Sequence, residues 1–171
     1  IVDQGNVGIG TQSPTQKLTV SGIIESLAGG FKFPDSTIQT TAANSLTVRV
    51  GTFSIGVCAS GNQQITGVGF KPKSVIFLAQ QQSSNHGNLR TSHGVMTASE
   101  QAAMSENVDN NLSFFTTSRA IMIYQSATVS QEASYVSMDA DGFTINNSCT
   151  GGGLTGQIGS AGINVIYIAM K

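Results

Sequence analysis

Charge is scarce in this sequence. Only 10% of its 171 residues are Asp, Glu, Lys or Arg, where a typical domain has about a quarter. The formal net charge is −1, so no basic surface exists to meet phosphates, and nucleic acid is not an expected partner. Trp is absent. No apolar run approaches the length a bilayer span needs, so membrane insertion is not expected either. Disorder does not fit, because disordered chains pair low hydrophobicity with high net charge. No secretory leader is visible, and the chain opens at Ile1 without Met, which reads as a fragment or processed product. The two cysteines, Cys58 and Cys149, lie far apart. A disulfide between them is open, but separate buried thiols are the expectation, since free Cys is among the most buried residue types.

Ser, Thr, Asn, Gln and Gly take the place of charge. That composition fits β structure with a polar, uncharged surface. Two textures follow one another along the chain. Residues 1–46 are rich in Gly and poor in large apolar residues. Val7 and Ile9 alternate with small or polar neighbours, as do Leu18 and Val20, which is the period-2 signal of half-buried strands. Ser13-Pro14 and Pro34-Asp35-Ser36 read as turns. Phe31 and Phe33 flank Lys32, and Thr37 to Thr41 reads as another strand. Strands this short do not stand alone. Val7, Ile9, Leu18, Val20, Phe31, Phe33 and Ile38 still need cover. Second and third copies of the same chain are the simplest cover, so these seven residues are the candidate trimer core of a thin shaft. Ala42 to Ser45 is the candidate neck.

Residues 47–171 read as an antiparallel head. Val48 and Val50 alternate cleanly and read as inward, and Phe53 and Ile55 are inward too after a bulge at Gly51. Gly61-Asn62 reads as a turn before Gln64 to Val68. Lys73 to Ala79 and Ile163 to Met170 are the strongest strands and are placed centrally. Thr97 to Ser105 is ambiguous between a helical turn and irregular strand. Eight or nine strands at roughly ten-residue intervals argue an antiparallel sandwich, jelly-roll-like. The expected fold class is therefore all-β: a short intertwined trimeric shaft (1–46) followed by a β-sandwich head (47–171).

A family resemblance rests on quotable residues. Gly5 to Gly22 runs G-N-V-G-I-G-T-x-x-P-x-x-K-L-x-V-x-G, and Gly29 to Ala42 runs G-G-x-K-F-P-D-x-T-x-Q-T-T-A. Both resemble the shaft-to-tip segments of bacteriophage tail fibres and related trimeric adhesins. A weaker similarity to fibre tips lies in Gly69 to Phe77, Ser137 to Asn146 and Tyr167 to Met170. The resemblance implies a homotrimer, a β-rich fold and attachment to a host cell-surface receptor, either a glycan or an outer-membrane protein. It also implies a place in the virion, extracellular after release, and such a protein needs no secretory signal. Two rivals stay open: a trimerisation and folding cap with no receptor site, and a trimeric bacterial surface adhesin.

Candidate chemistry is thin. His86 and His93 have no metal-ligand spacing and read as loop histidines, although a trimer brings three copies of one His together. Asp139-Ala140-Asp141-Gly142 lacks the remaining ligands of a calcium loop and reads as a hairpin. No Ser sits in a G-x-S-x-G elbow. Gly151 to Gly156 lacks the Lys and helix of a phosphate cradle. The chain is read as a non-enzyme with no cofactor and no metal. Receptor contacts are expected from residues 83–94 and 150–160, since loops vary while a scaffold holds them. Asn85, His86, Asn88, Arg90 and His93 are the named candidates. Tyr124 and Tyr135 are aromatic candidates for sugar stacking, with core or interface packing as the plainer reading.

Overall fold

The computed structural model describes residues 5–40, 46–81, 89–108, 111–126, 128–151 and 162–171. The chain divides into two compact units, Ile1–Ser45 and Leu46–Lys171. Almost all regular structure is β-strand, as expected.

The first unit holds two miniature sheets. β1 (Val7–Ile9) and β2 (Leu18–Val20) run parallel, with Val7 opposite Leu18 and Ile9 opposite Val20. The Val7 N–H donates to the Lys17 carbonyl (2.8 Å) and the Ser21 N–H to the Ile9 carbonyl (2.9 Å), which extends the ladder at both ends. β3 (Phe31–Lys32) and β4 (Ile38–Gln39) form an antiparallel hairpin. Asp35 shapes its turn by accepting from the Thr37 hydroxyl (2.6 Å) and the Thr37 N–H (3.0 Å). These bonds hold its carboxyl below the ordinary range. No described residue of this unit is buried. Ile23 is 98% exposed, Leu27 89%, and Phe31 and Phe33 47% each.

The second unit is a two-layer sandwich. Its strands are β5 (Val48–Ile55), β6 (Gly61–Thr66), β7 (Ser74–Gln81), β8 (Arg90–Thr97), β9 (Gln101–Asn107), β10 (Leu112–Thr116), β11 (Ile121–Ser126), β12 (Val129–Asp139), β13 (Gly142–Thr150) and β14 (Ile163–Met170). One sheet has the order β10-β9-β8-β7-β14-β5, the other β11-β12-β13-β6. Two meanders, β7 to β10 and β11 to β13, make up most of it. A jelly roll would interleave its strands between sheets instead. Both strands placed centrally from sequence are central: β14 lies between β7 and β5, and β7 between β14 and β8.

Alternation explains the core. Val75, Phe77 and Ala79 of β7 and Val165, Tyr167 and Ala169 of β14 face Phe143 and Ile145 of β13. Phe77, Phe143 and Tyr167 meet edge to face, with Phe143 5.6 Å from Phe77 and 5.3 Å from Tyr167, a favoured aromatic geometry. Gly94 permits the layers to close, because a Cβ there would overlap the Ala120 carbonyl.

Several expectations are corrected. β5 carries no bulge: its register against β14 is unbroken from Val48 to Ile55. Gly51 is small because the Tyr167 ring lies over it, where a Cβ would sit 2.6 Å from Cε1. With the phase unbroken, Phe53 and Ile55 face inward, while Val48 and Val50 are exposed on the outer face. Gly61-Asn62 begins β6 and is not a turn. Residues 90–107 form the β8–β9 hairpin, neither helical nor irregular. Cys58 and Cys149 are bonded to each other across a Cα–Cα distance of 5.1 Å, not separate thiols. The candidate neck at 42–45 lies outside the described residues.

The register also aligns the outward side chains of the six-stranded sheet into rows. Val50, Ile168, Ile76 and Val95 form one row, and Ile166, Leu78, His93, Met104 and Phe115 form the next.

Candidate functional site

Strand direction decides where chain connections fall. The chain enters the sandwich at Leu46, and β5 carries it to the far end at Ile55. From there the antiparallel pairings place at that same end the strand ends that bracket five connections. They are 56–60, 82–89, 108–111, 127–128 and 151–162. Both segments chosen from sequence, 83–94 and 150–160, belong largely to this set. It is the candidate binding end.

The core beneath it is polar and tied by hydrogen bonds. The Asn107 amide donates to the carbonyls of Tyr124 (3.3 Å) and Gln125 (3.0 Å), joining β9 to β11. The Gln131 amide donates to the carbonyls of Ala59 and Ser148, both at 3.0 Å. The Asn147 amide donates to Gln63 Oε1 (2.8 Å). The Cys58–Cys149 bond ties the β5–β6 connection to the end of β13. These contacts fix the strand ends from which the connections spring. Sequence reasoning passed over them. The available signal was Asn147 and Cys149 continuing the inward phase of Phe143 and Ile145.

The five named candidates are not brought together. Asn85, His86 and Asn88 lie outside the described residues. Arg90 opens β8 at the binding end but is buried, and its guanidinium donates to Gln81 Oε1 (2.8 Å). His93 is exposed on the outer sheet face, between Leu78 and Met104. Tyr124 stacks on Phe114, with centroids 4.4 Å apart. Burial raises its phenol pKa, and the neighbouring Glu132 carboxylate adds to this. Tyr135 packs against the core. A recess of about 270 Å³ at the binding end is lined by Glu106, Asn107, Val108, Asn111, Leu112 and Ser113. A larger one, about 490 Å³, lies at the opposite end beside Thr97, Glu100 and Gln101. Recess size therefore does not distinguish the two ends of the sandwich, whereas the number of strand connections does.

Asp139 and Asp141 have structural work. Asp139 accepts from Ser137 (2.7 Å) and Thr144 (2.7 Å), and these bonds hold its carboxyl below the usual 3.8. Asp141 accepts from the backbone N–H groups of Gly67 (3.1 Å) and Gly69 (2.5 Å). Asp139 thus braces the β12–β13 hairpin internally, and Asp141 pins it to the link after β6. Among the described residues no three His, Cys, Asp or Glu side chains gather as a metal site. No described helix is long and apolar enough to cross a membrane. No family model matches this chain, and no curated protein matches it.

Proposed function

We propose that this chain is the distal part of a homotrimeric bacteriophage tail fibre, which attaches the virion to a receptor on the host-cell surface. The receptor is a glycan or an outer-membrane protein. One observation carries the reading: the unit Ile1–Ser45 has no buried described residue, yet displays Ile9, Leu18, Ile23, Leu27, Phe31, Phe33 and Ile38. Such a segment lacks a core of its own and gains one when copies share it. Ile9, Leu18 and Phe33 among them are also specified positions of the motifs that resemble fibre shafts.

Attachment is polyvalent. Three heads per fibre raise the effective concentration at the cell surface, so weak single contacts suffice. The connections that join strands at this end of the sandwich supply those contacts, and the sandwich fixes the strand ends from which they start. Neither catalysis nor a cofactor takes part.

Light scattering tests this first. The expected solution mass is three times 17.7 kDa. A monomer would overturn the reading. Adsorption of the labelled trimer to bacterial cells, removed by mild protease or by periodate, then sorts protein from glycan receptors.

A further inference from the structure

We propose that the outer face of the six-stranded sheet is the surface through which the heads of neighbouring copies pack on one another. This rests on the homotrimeric reading above.

The two outer faces of the sandwich differ in kind. The four-stranded sheet turns Asn62, Gln64, Glu132, Ser134, Asn146 and Ser148 outward, a surface suited to water. The six-stranded sheet turns out its two apolar rows. Its central strands are apolar on both sides: in β7, Val75 and Phe77 are buried while Ile76 and Leu78 are exposed. In β14, Val165 and Tyr167 are buried while Ile166 is 46% exposed. A contiguous exposed apolar patch of this extent marks an interaction surface. Among the described residues of the sandwich unit, only the inner face is covered.

Three further points select a second copy as the cover. The outward positions of this sheet carry only two ionisable side chains, His93 and Glu106, so identical faces do not repel one another. Six strands of up to eight residues span on the order of 600 Å² in plan, which a threefold arrangement divides between two neighbours, so each contact is smaller than the roughly 800 Å² per partner of a free-standing interface. A shared shaft would hold the three heads at high effective concentration, so the interface need not be strong alone. His93 then lies between copies, and receptor contact falls to the binding end.

Cysteine crosslinking in the full chain tests the proposal. Cys58 and Cys149 are bonded to each other and leave no background thiol. A short bis-maleimide applied to dilute Val95→Cys should link chains about tenfold more than it links Ser134→Cys on the polar face, as an effective concentration in the mM range implies. Adding Leu78→Lys should abolish the Val95→Cys link while the head keeps its near-ultraviolet spectrum. A trimeric mass with equal or absent linking at the two positions would overturn this surface and leave the fibre reading standing. A monomeric mass without links would overturn both.

Discussion

The two units solve opposite problems. The head, Leu46–Lys171, closes two sheets over a core in which Phe77, Phe143, Ile121 and Ile123 are fully buried. The unit Ile1–Ser45 has turns, short ladders and apolar side chains, but no described residue out of water. Local order and a core are therefore separate achievements. Turn chemistry such as the Asp35–Thr37 bonds shapes a backbone without supplying the hydrophobic term that offsets chain entropy. The head should be stable as a monomer, whereas the first unit should depend on concentration.

The sharpest way to break this contrast is to attack the head core. Phe77→Ala removes the centre of the aromatic cluster and should cost about 3–5 kcal/mol. A denaturant melt should show the same loss at every protein concentration. Cutting the Cys58–Cys149 bond by replacing both with Ser should cost about 2–4 kcal/mol, again without concentration dependence. Phe31→Ser with Phe33→Ser tests the other unit. The head transition should stay in place while the proposed trimer, if it forms through these rings, loosens by about 1–2 kcal/mol per ring, seen as a fall in mass on dilution. An unchanged dissociation midpoint would show that these rings are not covered by neighbours.

The smallest effect is expected at Asp139. Its carboxyl pKa is lowered by the Ser137 and Thr144 hydroxyls. A lowered folded pKa contributes stability above the unfolded value, and that stability is lost as pH falls through the folded one. Asp139→Asn should therefore cost about 0.5–1 kcal/mol at neutral pH, small because the group is solvent-screened. It should also flatten the acid limb of the stability curve below about pH 4. Head melting that keeps the same acid limb would remove Asp139 from the account.

How far the sequence could be read follows from what each strand turns inward. β7 and β14 were legible because their buried residues are large and apolar. β8 and β9 were not, because they turn Ser92, Gly94, Ala103, Ser105 and Asn107 toward the second sheet. Small and polar residues there match a close layer and hydrogen bonds such as Ser92 Oγ accepting from the Met122 N–H (3.0 Å). The phase of β5 misled because its more regular apolar pair, Val48 and Val50, faces outward, and Gly51 marks the Tyr167 ring in place of a bulge. The disulfide spans 91 residues, a proximity only the β13–β6 pairing creates. The binding end was half legible. Polar, Gly-rich segments announced connections, but only strand direction shows that five of them share one end.

The position of β14 has a consequence for biosynthesis. The strand formed from residues 163–170 separates β7 from β5, so neither of those strands has its final neighbour until it arrives. A ribosome adding about 5–20 residues per second leaves the β7 edge unpaired until β14 emerges. A chain lacking residues 163–170 would keep that apolar edge open, and an unpaired strand edge is a template for aggregation.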